Sequence, residues 1–292
     1  MLDEVTILLV GGDHRYIEVV KKLSQENAKI VLVGFDEITL DFPNTSKLEI
    51  HQVDFRTLDA ILLPVSGVNP DGSVEAPFSS KEVFLTKELV SQTPDHCVLY
   101  SGISTPFLDK LVAETNRRLV RIFDRSDVAI LNSIPTAEGA LMLAIQNTDF
   151  TIHGSNVMVL GFGRVGMTIA RVFSAVGAKV AVCVRKAMDA ARITEMGLVP
   201  IFLDELKENI SKMDIVINTI PRLVLSSNIL AKAAEHTLIL DLSSKPGGTD
   251  FEYAKKRNLK VIWALGLPGK IAPKTAGLII GDVISKWLKD EN

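Results

Sequence analysis

Short apolar runs and stretches of helical periodicity alternate along the whole chain. Residues 5–10 read as a buried strand, Gly11-Gly12-Asp13 turns the chain into a helix over about 15–25, and 29–33 form the next strand. Further strands are expected at 60–63 and 97–100, a weaker one at 48–53, and short ones at 119–123 and 128–131. The segment 67–80, rich in Gly, Pro, Ser and Asp, is expected to be a long loop of the kind that covers binding sites. A helix over 136–147, with Glu138 near its start, is expected to bridge two halves. The second half continues with strands at 157–160, 179–184, 215–218, 238–241 and 261–264. An amphipathic helix at 275–289 is long enough to pack back on the first half. This alternation predicts an α/β protein of two doubly wound parallel-sheet, Rossmann-like domains with a cleft between them. The first, 1–150, is expected to be a flavodoxin- or Rossmann-like substrate domain that includes the bridging helix. The second, 151–292, is expected to bind a nucleotide. No internal repeat beyond the strand–helix alternation is expected.

The most specific signal lies where the strand at 157–160 meets the helix at 165–176. Gly161, Gly163 and Gly166 there have the spacing of a dinucleotide-binding turn. The first permits the tight turn, the second lets backbone approach a pyrophosphate, and the third lets helix and strand pack closely. Phe162, Arg164 and Val165 complete the turn, and the pyrophosphate is expected over the N–H groups of the first helical turn. An acidic residue at the end of the following strand would select NAD. From Gly166 to Met188 there is none, and the strand runs into Arg185 and Lys186. Two cations there suit a 2′-phosphate, so NADP is the expected cofactor.

Composition narrows the class. Of 292 residues 47% are hydrophobic and 23% charged, with a net charge of −3, which gives no reason to expect nucleic acid or a membrane as partner. Cys97 and Cys183 lie in apolar runs and offer neither a disulfide framework nor zinc spacing. The five histidines are scattered, and no metal site is expected. The N-terminus lacks the features of a signal peptide and no apolar run approaches 18 residues, so the expected location is cytoplasmic.

In an open parallel sheet, ligands bind outside the carboxyl ends of the strands. Those ends carry Asp13, His14 and Arg15, then Ser101, Gly102 and Ser104, then Ser133 within Asn-Ser-Ile-Pro-Thr. In the second half they carry Thr219, Ile220 and Pro221, Asp241, and Gly266, Leu267 and Pro268, which join the expected cofactor contacts. Hydroxyls, glycines and a cation suit an anionic ligand. Each also has a structural reading: Asp13 is a good N-cap, and Ser101 and Ser104 can simply cap a turn.

These residues carry a resemblance. Gly-Phe-Gly-Arg-Val-Gly and Asn-Thr-Ile-Pro make the second half similar to the nucleotide domain of D-2-hydroxyacid dehydrogenases and S-adenosylhomocysteine hydrolases. In that group an Arg binds substrate and a Pro-His-Ile-Ala-Gly stretch carries the acid/base His. Here Lys245 lies near the first place and Lys274, in Pro-Lys-Thr-Ala-Gly, at the second. Lysine is a poor proton relay at neutral pH and a good anion anchor, which counts against hydroxyacid chemistry. Almost the whole chain resembles the A subunits of dipicolinate synthases from spore-forming bacteria. The match is carried by 10–13, 96–104, 132–139, 191–200, 246–251 and 266–277. The resemblance implies oxidation of dihydrodipicolinate to pyridine-2,6-dicarboxylate with NADP⁺, partnership with a flavoprotein-like B subunit, and action in the mother cell during sporulation. A homo-oligomer is also expected. Arg15, Ser101, Gly102, Ser104, Ser133 and Lys274, with Asp13, are the expected carboxylate holders; Lys274 and His14 are candidates for catalysis. Two alternatives stay open: an NADP-dependent reductase of another small carboxylic acid, and a nucleotide-sensing regulatory protein.

Overall fold

The computed structural model describes residues 1–291. Two compact units divide the chain: 1–131 together with 272–292, and 132–271. The division expected at residue 150 thus falls earlier, inside the helix Ser126–Asn147, and the C-terminal helix belongs with the first unit.

The first unit contains β1 (Thr6–Val10), β2 (Lys29–Val33), β3 (Thr45–Lys47), β4 (Ala60–Leu62), β5 (Ser73–Val74), β6 (Val83–Phe84), β7 (Val98–Ser101) and β8 (Arg118–Arg121). Six of these form one parallel sheet in the order β3-β2-β1-β4-β7-β8, while β5 and β6 pair as a small antiparallel hairpin. Asp13 starts the helix His14–Gln25 by accepting from the Arg15 N–H, so its capping role is realised. Thr105 and Pro106 start the helix Pro106–Thr115, and Asn116 ends it in the left-handed region. Both sheet faces are dry. Ile7, Leu9 and Tyr100 pack under the helices His14–Gln25 and Pro273–Glu291, and Leu8, Ile61 and Leu99 pack on the other side.

The C-terminal helix is part of that first core. Ile280, Ile284 and Leu288 recur at helical spacing and are buried, each burial contributing about 1.5–3 kcal/mol. The two helices run close because Gly277 and Gly281 lie against the backbone of Arg15 and Val19.

In the second unit β9 (Asn156–Leu160), β10 (Lys179–Val184), β11 (Val199–Phe202), β12 (Ile215–Asn218), β13 (Leu238–Asp241) and β14 (Lys260–Trp263) form a parallel sheet. Its order, β11-β10-β9-β12-β13-β14, repeats that of the first sheet. Ala137, Ala140 and Ala144 of the helix Ser126–Asn147 are buried in its core. By length and composition this helix could cross a membrane, but that alanine face is packed inside a folded unit.

Three readings of the pattern need correction. Residues 128–131 are helical, because the helix expected from 136 starts ten residues earlier at Ser126 and continues through Pro135. Residues 48–53 hold a short 3-10 turn, Ile50–Gln52, with the strand displaced to Thr45–Lys47. There is also an internal repeat. The helices His14–Gln25 and Arg164–Ala175 have equal length, and the pairings Thr6↔Lys29 and Asn156↔Lys179 open the two sheets in the same way. At the amino ends of the strands, Asp59 accepts from the Thr6 N–H and meets His96, as Asp214 accepts from the Asn156 N–H and meets His236.

Candidate functional site

The three glycines of the turn after β9 differ in what surrounds them. Gly161 sits at φ +97°, where L side chains are strained, and a Cβ there would lie 2.7 Å from Thr219 Oγ1. A Cβ on Gly166 would lie 2.2 Å from the Gly161 carbonyl oxygen, so only glycine lets this helix approach its strand. Around Gly163 a Cβ would meet nothing within 4 Å. Gly163 is also the N-cap of the helix Arg164–Ala175 and gives it no side-chain cap, which leaves the first-turn N–H groups to a ligand or solvent. This open, donor-lined cradle fits a pyrophosphate. Phe162 and Val165 are half-buried against the core, and Arg164 is exposed at the first helical position.

At the end of β10 both Arg185 and Lys186 are exposed. A shallow hollow beside them is lined by Arg185, Phe202, Leu203 and Asp204. Asp204 follows the neighbouring strand, so reading along β10 alone did not find it. The thiol of Cys183, one strand position before Val184, is pushed up to about 12, chiefly by burial and then by the Asp204 and Glu205 charges.

The other expected cofactor contacts divide. Thr219 donates to the Leu160 carbonyl at 2.8 Å and so ties the end of β12 to the glycine turn; Ile220 is half-buried and Pro221 exposed. Asp241 is fully buried and its carboxylate is committed within the protein. One oxygen accepts from the Ser243 N–H and hydroxyl and from the Asn218 amide, the other from the Gly248 N–H and the Thr249 hydroxyl. It shapes the loop 241–249, where Lys245 is exposed. Gly266 has φ +69°, and Leu267 and Pro268 are buried at the start of the short helix Leu267–Ile271. Leu267 and Ile271 both pack closely on Gly139.

In the first unit Asp13 grips Arg15 through Nε and Nη2, at 2.9 and 2.7 Å to its nearer oxygens, leaving Nη1 without a partner among the described residues. His14 is exposed, its ring edge-on to Phe78 with centroids 4.9 Å apart. The helices His14–Gln25 and Pro273–Glu291 run parallel: Arg15 meets Gly277, and Lys22 meets Asp282. Their N-termini therefore lie at one end, with Arg15 on one first turn and exposed Lys274 on the other. Asp13 caps the first of these ends and offsets the Arg15 charge, so the end of Pro273–Glu291 with Lys274 carries most of the attraction for an anion.

The serines are less available than the sequence suggested. Ser101 is buried and donates to the Pro64 carbonyl at 3.2 Å, and Ser104 donates to Asp109 at 2.5 Å. Gly102 is glycine because a Cβ would lie 2.6 Å from Val65. Ser133 does not sit at a strand end at all. It is buried within the helix Ser126–Asn147, in the second unit, and pairs with the Thr168 hydroxyl at 2.6 Å. The structure thus brings Asp13, His14, Arg15 and Lys274 to one region of the first unit and the glycine turn with Arg185 and Lys186 to one edge of the second.

Comparison with known proteins fits this division. Residues 6–123 match the N-terminal domain of the dipicolinate synthase A subunit, and 117–239 match the NAD-binding domain of D-isomer specific 2-hydroxyacid dehydrogenases. The chain is 51% identical over 290 residues to the dipicolinate synthase A subunit of Bacillus subtilis, covering 99% of this chain and 98% of that one. It superposes on the crystal structure of the corresponding protein from Bacillus halodurans with a TM-score of 0.97, at 52% identity and 99% coverage of both chains. A transhydrogenase from Sinorhizobium meliloti, 14% identical with a TM-score of 0.70 over 97% of this chain and 94% of that one, shares the fold. With family domains over both units and half of its residues shared along its length, the chain belongs to the family of dipicolinate synthase A subunits.

Proposed function

We propose that this chain oxidises dihydrodipicolinate to dipicolinate with NADP⁺ as hydride acceptor, in the cytoplasm of a sporulating mother cell and in partnership with a flavoprotein-like B subunit. The observation that carries this reading is the open glycine turn at Gly163, joined at the end of the next strand by exposed Arg185 and Lys186. The first-turn N–H groups of Arg164–Ala175 hold the pyrophosphate, Arg185 and Lys186 hold the 2′-phosphate, and Phe202 and Leu203 flank the adenine. Asp204 stands in the same hollow and opposes the phosphate, so the two cations have to outweigh it.

The substrate is a small ring with two carboxylates. Arg15, through Nη1, and Lys274 are the anchors, aided by the N-terminal end of the helix Pro273–Glu291. Ser101 and Ser104, whose hydroxyls already have partners, shape the backbone of the first unit. The nicotinamide supplies the acceptor for one hydride when bound. The second hydrogen leaves as a proton, and the ring becomes aromatic, which drives the reaction forward. The proton passes to water, with exposed His14 beside Arg15 as the candidate relay.

The test follows absorbance of reduced nicotinamide with dihydrodipicolinate present, comparing NADP⁺ with NAD⁺, with and without the B subunit. Substrate-dependent reduction of NADP⁺ together with pyridine dicarboxylate formation is expected. Cofactor binding without turnover under every condition would replace this reading with a nucleotide sensor, and preference for NAD⁺ would remove the 2′-phosphate role of Arg185 and Lys186.

A further inference from the structure

The internal repeat gives the first unit its own counterpart of the nucleotide surface. Residues 6–36 and 156–186 correspond without insertion, so that Asp13 stands for Gly163, Tyr16 for Gly166, and Phe35-Asp36 for Arg185-Lys186. The phosphate half of this counterpart is closed. Asp13 puts a carboxylate where a pyrophosphate needs open backbone. The Gly12 N–H donates to the Glu75 carbonyl at 2.8 Å, and that same oxygen lies 2.4 Å from where a Cβ of Gly11 would be. The segment between β5 and β6 thus covers the turn.

The nucleoside half is open. A cavity of about 410 Å³ lies at the carboxyl ends of β2 and β3, within the usual size range for small-molecule sites. It occupies the place of the hollow beside Arg185. The correspondence is fixed by one repeated bond, since the Glu49 N–H donates to the Gln52 side chain at 2.9 Å and the Phe202 N–H to the Glu205 side chain at 2.9 Å. Glu49 and Ile50 therefore match Phe202 and Leu203. Leu48, Ile50 and Val83 give the cavity apolar walls.

Its polar groups are those of a site for a neutral ligand. Asp36, at the end of β2, holds the position from which a carboxylate accepts ribose hydroxyls. Ser80 fixes it, donating through its N–H at 3.0 Å and its hydroxyl at 2.5 Å to Oδ2. These bonds hold the Asp36 carboxyl well below the usual carboxylate range. An ionised carboxylate has about four acceptor positions, so capacity remains for a ligand. The two lysines of the lining are already paired, Lys81 with Glu49 and Lys47 with the Ile38 carbonyl. Three carboxylates of the lining, Asp36, Glu49 and Glu82, outnumber the two lysines, so the net charge there is negative and opposes a phosphate.

We propose that this cavity binds a neutral nucleoside, with its base against Leu48, Ile50 and Val83 and its ribose on Asp36, and that it refuses the phosphorylated forms. The test is calorimetric titration of adenosine into the full chain, in buffer holding both NADP⁺ and NAD⁺ at saturating concentration. One adenosine site per chain is expected, weakened about tenfold or more by Asp36→Asn and retained in Ser80→Ala. AMP and ADP are expected to bind at least about tenfold more weakly, by the same energetic argument. Hydrogen exchange on the unmutated chain should slow at 47–52 and 79–83 when adenosine is added, a readout independent of how the variants fold. Absence of binding at millimolar adenosine overturns the proposal. So does adenosine binding that leaves those segments unprotected, or tighter binding of AMP than of adenosine.

Discussion

Arg185 and Lys186 follow a strand whose last residues are buried, so their charges stand at its end with no competing function in the core. Replacing both with alanine should raise KM for NADP⁺ by about tenfold or more, the loss of charge-assisted bonds to a phosphate, and leave KM for NAD⁺ nearly unchanged. Steady-state kinetics with the two nucleotides checks this. A second prediction concerns the two thiols. Burial pushes Cys97 up to about 11 and Cys183 to about 12, so neither is a thiolate near neutrality. Both should resist a thiol reagent at pH 8 and react only on unfolding, as a time course with and without denaturant would show. Residues whose role is set by backbone need, such as Gly161 and Gly166, were legible along the chain. Asp241, Ser101 and Ser104 were not, because a polar side chain reads the same whether its partner is a ligand or a distant loop. Only the fold reveals that Gly248 and Thr249 already bind the Asp241 carboxylate.

Close approach governs the helices. A methyl group at Gly277 would meet the Arg15 carbonyl at 2.2 Å, so Gly277→Ala must push two parallel helices apart. The expected cost is about 1–3 kcal/mol by chemical denaturation, as for overpacking elsewhere. The same helices are tied by charge. Burial opposes ionisation of Glu26, yet hydrogen bonds from Lys289, Ser285 and Lys22 outweigh it and hold the carboxyl at about 2. Because the folded value lies below the ordinary one, this stabilisation is present above about pH 4.5 and fades as pH falls through about 2. Glu26→Gln should therefore cost about 1–3 kcal/mol at pH 7 and almost nothing near pH 2, measured as the difference between denaturation curves. Most strands and the amphipathic C-terminal helix followed from periodicity. Residues 128–131 did not, since a short apolar run fits a buried strand or a buried helix equally, and Pro135 inside the helix read as a turn signal.

The two units differ in how the chain builds them. The second is one continuous stretch, 132–271, whereas the first needs both ends of the sequence. A fragment of 132–271 is expected to fold alone and bind a dinucleotide, while removal of 272–292 exposes the face that Ile280, Ile284 and Leu288 cover and should leave the first unit unfolded. Far-ultraviolet dichroism and nucleotide titration of the two shortened chains distinguish these outcomes. The repeat relating the units escaped sequence reading because the positions that define the nucleotide turn differ most: Asp13 and Tyr16 against Gly163 and Gly166. What survived is backbone spacing and the Asp–His pairs at the opposite end of each sheet.

That the last helix completes the first core has a consequence for the newborn protein. During translation the leading unit emerges with an uncovered apolar face and must wait for the trailing unit to be made. At about 5–20 residues per second the wait is roughly ten to thirty seconds. Over that interval the face that Ile280, Ile284 and Leu288 will later cover stays exposed, and a nascent chain stalled before them would carry a finished nucleotide unit behind an unfinished partner.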